Sequence, residues 1–85
     1  MGYLNPLLKT DAAKAMLELP EEDLARIEAL MRELRAQAGK NAEKAWASRK
    51  GLIAAYWRAT STYARHIAHV CSKARAAKRA QRPPG

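Results

Sequence analysis

The stretch that decides the fold is residues 42–80, AEKAWASRKGLIAAYWRATSTYARHIAHVCSKARAAKRA. It holds no proline, and Ala, Arg and Lys dominate it, all strong helix formers. Trp46, Ile53, Thr60, Ile67 and Ala74 recur every seven residues. Tyr56, Tyr63 and Val70 fill a second seam position, and Leu52, Trp57 and Cys71 widen the stripe. Such spacing draws one apolar band along a helix. The band keeps its phase across Gly51, so the segment reads as one long helix, about 42–80. Arg49-Lys50-Gly51 is also a good helix stop, and a kink or break at Gly51 is the alternative.

Outward from this segment, Asn41 can cap its start, and Gly39 suits the left-handed position after a preceding helix. That second helix, about 20–38, carries Leu24, Ile27, Leu30, Met31 and Leu34 at spacings of three and four. Pro20 fits its first position, and Glu21, Glu22 and Asp23 place negative charge at the positive end of its dipole. Glu22–Arg26 and Glu28–Arg32 are i,i+4 pairs, each worth roughly 0.2–0.5 kcal/mol. A first helix, about 10–19, can be capped by Thr10 or Asp11, with Leu8, Ala12, Ala15, Met16 and Leu19 as its stripe. Residues 1–9, with Asn5-Pro6, read as irregular, and residues 81–85, with Pro83 and Pro84, as a frayed tail.

The expected class is therefore all-α: a short N-terminal helix, then a helical hairpin with a long, basic third helix. The chain has 85 residues, 9.4 kDa, no Phe and one Cys, which allows one small domain and no internal disulfide. A chain of this size buries only about 60% of its unfolded surface. No apolar run is long enough to span a membrane, and MGYLNPLLKTD lacks the basic-then-apolar pattern of a secretory signal. The expected partners exclude a membrane, and the expected location is cytoplasmic.

Lengths raise a further expectation. At about 1.5 Å per residue the second helix is roughly 27 Å long and the third roughly 58 Å. A hairpin turning at Gly39-Lys40-Asn41 leaves the stripe uncovered beyond about Thr60. The first helix can fold over part of it; a second copy of the chain or a different protein must cover the rest. A homodimer or hetero-complex is the expectation. The interface or core seam is Trp46, Ile53, Tyr56, Trp57, Tyr63, Ile67 and Val70.

Charge is distributed as unevenly as the apolar residues. Residues 1–39 carry five basic and seven acidic side chains; residues 40–85 carry eleven basic and one acidic, for a net of +8 overall. On a continuous third helix Lys44, Arg58, Arg65 and Arg79 fall at multiples of seven, with Arg75 beside them and Ser61, Thr62 and Ser72 between. Spaced cations and short hydroxyls match the needs of phosphate contacts. They equally match an acidic protein surface, or a merely solvated face.

Other constellations carry less. His66 and His69 stand three apart with Cys71 near, whereas zinc on one helix favours i,i+4 spacing and a closed site needs four ligands. Cys71 as a nucleophile needs a base and an orienting acid in a cleft. Glu21, Glu22 and Asp23 read as helix-start acids. No metal, cofactor or enzymatic activity is expected. Trp46, Tyr56, Trp57 and Tyr63 are a possible stacking platform for single-stranded bases, but their heptad-like spacing reads as core or interface. Residues 32–51, RELRAQAGKNAEKAWASRKG, resemble the opening helices of phage-repressor-type helix-turn-helix domains. Lys40 and Ala45 stand where that family has larger apolar residues, and no recognition-helix start follows, so the family is not assigned.

Two functions follow as expectations. One is a small regulator that docks nucleic-acid phosphates through Lys44, Arg58, Arg65, Arg75 and Arg79. The alternative is a protein-binding inhibitor or adaptor, of the mobile-element type, that occludes an acidic or apolar surface of a larger machine.

Overall fold

A computed structural model describes residues 5–81. The described chain is all-α. It begins with a 3-10 turn, Pro6–Lys9, followed by α1 (Asp11–Ala15), a second 3-10 turn (Met16–Glu18), α2 (Glu21–Ala47) and α3 (Gly51–Gln81). Asn5 Oδ1 accepts from Leu7 N–H to cap the first turn, and Thr10 Oγ1 accepts from Ala13 N–H to cap α1. Pro20 is the N-cap of α2 rather than its first residue, and Glu21, Glu22 and Asp23 fill the first turn.

α2 and α3 pack along most of their lengths as an antiparallel hairpin. The hairpin turns at Ser48-Arg49-Lys50, not at Gly39-Lys40-Asn41. α2 runs straight through Gly39 for 27 residues, and α3 starts at Gly51 and runs for 31. A glycine inside a helix costs roughly 0.5–1 kcal/mol. Breaking α2 there would forfeit several backbone hydrogen bonds and the burial of Ala42 and Ala45. The expected boundaries of a second helix ending at 38 and a third beginning at 42 are therefore corrected, and the stop at residues 49–51 separates the two helices. The tail expected at 81–85 lies outside the described residues beyond Gln81, itself helical.

The stop is a Schellman-type cap. Arg49 takes φ 59°, its N–H donates to Trp46 O at 3.0 Å, and Lys50 N–H donates to Ala45 O at 2.8 Å. Arginine occupies the left-handed position that glycine would fill without strain, while Gly51 lies in the first turn of α3.

The interface between the helices is made of small residues. Ala38, Ala42 and Ala45 of α2 and Ala54, Ala64 and Ala68 of α3 are buried. Residues 54, 57, 61, 64, 68, 71, 75 and 78 form an unbroken three-four repeat, and this repeat, not the one through Trp46 and Ile53, faces α2. Small side chains let the axes approach. Ser61 Oγ reaches the carbonyl of Arg35 on the facing helix at 3.0 Å. A Cβ on Gly39 would meet Ser61 Oγ at 3.9 Å. Bulkier groups gather at the open end, where Leu24, Cys71 and Ala74 form the core and Met16, Leu19, Ile27 and Ile67 pack on it. The N-terminal segment is thus a partial third layer. Asn5, itself buried, anchors it: Nδ2 donates to His66 O at 3.0 Å and lies 3.2 Å from His69 Nδ1.

Candidate interaction surface

Each expected basic residue has a definite place. Lys44 lies in the last turn of α2, not on α3, so it does not continue the line of Arg58, Arg65 and Arg79. Arg75 Nη1 donates to Glu28 Oε1 at 2.9 Å, and Arg79 Nε donates to Glu21 Oε1 at 2.9 Å. Both arginines therefore tie α3 to the acidic first half of α2. Glu28 also accepts from Arg32 at 2.8 Å. Burial by itself raises the Glu28 pKa, but hydrogen bonds and charge from Arg32 and Arg75 prevail and hold it below its usual value. Asp23, not Glu22, pairs with Arg26, at 3.5 Å.

Arg65 is half-buried, seven residues from exposed Arg58 on one side of α3. Arg58 borders an open cleft of about 370 Å³ with Gly39, Lys40, Glu43, Ser61 and Thr62. Ser61 and Thr62 direct their hydroxyl protons to backbone carbonyls of Arg35 and Arg58. The one-sided strip read from the sequence is thus divided: two of its arginines hold the hairpin together, and its lysine belongs to the other helix.

The expected seam needs a larger correction. Trp46, Ile53, Tyr56 and Tyr63 are 67%, 49%, 64% and 60% exposed, and neighbouring Leu52 is 91% exposed. Trp57 is half-buried and meets Tyr56 edge-on, with ring centroids 5.2 Å apart. Ile67 is half-buried, Val70 is buried, and the N-terminal segment covers this end of the stripe. The physical reason is steric. The buried alanine seam leaves little room for phenol rings, so Tyr56 and Tyr63 lie on its flank, while Trp57 keeps a half-buried seam position near the turn, with Asn41 and Ala45 of α2. The end beyond Tyr63 therefore no longer calls for assembly; the uncovered part is the opposite half of the stripe, residues 52–63.

At the tip of the hairpin, next to the turn, a second shallow cavity of about 270 Å³ opens between the helices, lined by Asn41, Lys44, Ala45, Ser48, Lys50, Ile53 and Trp57. Trp46 lies by the turn, beside Arg49 and Gly51. Across residues 40–58 the charged groups are Lys40, Lys44, Arg49, Lys50 and Arg58 against Glu43.

The groups considered for chemistry do not converge. Cys71 is fully buried beside Leu24, and burial pushes its thiol pKa up. His69 faces Asn5, and burial, reinforced by Lys73, Arg32 and His66, lowers its pKa. Among the described residues no group of three His, Cys, Asp or Glu side chains is placed to hold a metal ion. None of the described helices is long and apolar enough to cross a membrane. The helix-turn-helix likeness finds no counterpart, since residues 32–47 form one uninterrupted helix. No family model, curated protein or solved structure matches the chain.

Sequence patterning did not single out the alanine seam or the interhelical role of Glu21 and Glu28. The signal for the seam was the three-four repeat from Ala54 to Lys78. It competes with a bulkier repeat on the adjacent face of the same helix.

Proposed function

We propose that this chain is a non-enzymatic protein-binding module, an adaptor or inhibitor that docks the tip of its hairpin on a larger protein. One observation carries the reading: the stripe on α3 is covered by the chain's own N-terminal segment around Ile67, Cys71 and Ala74 and left open at Leu52, Ile53, Tyr56 and Tyr63. Contiguous exposed apolar surface of this kind marks interaction sites. Burying it would release roughly 25 cal/mol per Å². Leu52 and Ile53, at the start of the open stripe, favour a protein over bases, because bases stack on rings and gain little from aliphatic groups. The surrounding lysines and arginines favour an acidic partner and would speed its encounter.

A second reading, phosphate docking by a nucleic-acid regulator, is favoured by Arg58 and Lys40 on one open cleft with Ser61 and Thr62. Affinity purification from the native host, with and without nuclease, separates the two. The protein-binding reading expects nuclease-resistant recovery of one protein, lost in an Ile53→Ser/Tyr56→Ser variant. Nuclease-sensitive recovery that survives this double substitution and is lost in Lys40→Ala/Arg58→Ala overturns it in favour of phosphates.

A further inference from the structure

The groove between α2 and α3 has two halves, and the described residues fill only one of them. At the open end, Met16 and Leu19 of the N-terminal segment pack on the cluster of Leu24, Cys71 and Ala74, as do Ile27 of α2 and Ile67 of α3. Seven-residue steps from these positions, Ile27 to Leu34 to Asn41 on α2 and Ile67 to Thr60 to Ile53 on α3, continue the groove to the tip. There it opens into the cavity floored by Ala45, with Ile53 and Trp57 on one wall. The charged side chains lining this cavity are Lys44 and Lys50, with no acidic residue among them.

We propose that the tip half of this groove takes a single amphipathic helix of another protein. Its apolar face would seat on Ile53, Tyr56 and Trp57, and acidic residues along its edge would meet Lys44 and Lys50. The inference rests on the protein-binding reading and adds the shape and charge of the occupant. The incoming helix completes in trans the third layer that the N-terminal segment begins in cis. A second copy of this chain is disfavoured as occupant: its formal charge is +8, and the exposed tip that would face the groove is itself cationic. An acidic helix gains both from apolar burial in a groove and from charge complementarity.

The test is a selection followed by a titration, both on the full chain. A library of helical peptides with a fixed leucine stripe and randomised flanks is displayed and selected against the wild-type protein and against Lys44→Glu/Lys50→Glu. Both lysines are exposed, and circular dichroism confirms that the variant is folded. The expected result is enrichment of Asp and Glu on the flanks with wild type and a swing to Lys and Arg with the variant. An enriched acidic peptide should bind wild type one to one, change Trp57 emission, and lose at least tenfold in affinity with Lys44→Glu/Lys50→Glu or Ile53→Ser. Enriched peptides without acidic flanks, or none enriched at all, overturn the proposal. So does a sedimentation equilibrium showing a dimer that Ile53→Ser dissociates, since a second copy would then be the occupant. A host protein captured through Ile53 and Tyr56 in the absence of acidic-helix enrichment would leave the protein-binding reading standing and remove only the helical occupant.

Discussion

Arg75 and Glu28 join the two long helices through a hydrogen-bonded ion pair of 2.9 Å, and Arg32 binds the other carboxylate oxygen of Glu28. One acid thus receives a cation from its own helix and one from the facing helix. Since the folded carboxyl sits below its ordinary pKa of 4.5, its stabilisation is complete above that value. It disappears as pH falls through the lower folded value. Glu28→Gln should cost about 1–2 kcal/mol at pH 7 and make stability less dependent on pH between about 5 and 2. Denaturant titrations across that range check both. An unaltered pH profile would show that the pair contributes nothing.

Asn5 and His69 give a second titration of the same sign. The Nδ1 of His69 accepts from Asn5 Nδ2 only while the ring is neutral, with its proton on Nε2. Burial and the nearby Lys73, Arg32 and His66 depress the folded pKa below 6.5. The neutral ring's contribution is therefore full above about 6.5 and lost as pH falls through the folded value. Protection of the residue 7–19 amides, taken as the observed exchange rate against the intrinsic rate at the same pH, should fall on acidification from pH 7.5 to 5, and Asn5→Ala should produce the same loss of protection already at pH 7.5. Protection in this segment that ignores both changes would sever the link between Asn5 and its docking.

The alanine seam should tolerate enlargement poorly. Ala68 is fully buried, so Ala68→Leu must push the helices apart, at a cost of about 1–3 kcal/mol. Tyr56→Ser and Ile53→Ser should change stability by less than about 0.5 kcal/mol, because these side chains already face water. Urea melts of the three variants establish the order. The reverse order would place the large stripe, not the alanines, at the interface.

Gly39 offers a substitution with gain. Its neighbour across the interface, Ser61 Oγ, would lie 3.9 Å from an added Cβ, an ordinary contact. Gly39→Ala should therefore stabilise the protein by about 0.5–1 kcal/mol through helix propensity alone. A melting midpoint that falls would mean the helices cannot accept even a methyl group at that level.

The turn makes the complementary prediction. Arg49 holds φ 59°, a conformation that costs a residue with a Cβ about 1 kcal/mol. Arg49→Gly should remove that strain and raise the melting midpoint modestly, whereas Gly51→Ala, in the first turn of α3 with open space around it, should be close to neutral or slightly stabilising. Destabilisation by Arg49→Gly would show that the arginine side chain contributes more than its backbone costs.

Helix content was legible in the chain because propensity and capping are local. The alanine-rich run, the acids after Pro20, Thr10 ahead of Asp11 and the Arg49-Lys50-Gly51 stop all act within a turn or two of themselves. The asymmetry of charge was equally plain, as was the apolar stripe of α3 from Ile53 to Ala74, whereas Trp46 belongs to α2 and not to that stripe. What the chain could not disclose was which of two parallel repeats on α3 would face α2, because both have the same period. That choice belongs to the pair of helices: close approach admits Ala54, Ala64 and Ala68 and turns away Tyr56 and Tyr63. The same choice set the turn at residues 48–50, since only a long α2 brings Ala42 and Ala45 into register with the start of α3. It also drew Arg75 and Arg79 to Glu28 and Glu21, more than forty residues away in sequence, and left Leu52, Ile53 and Tyr56 near the turn exposed.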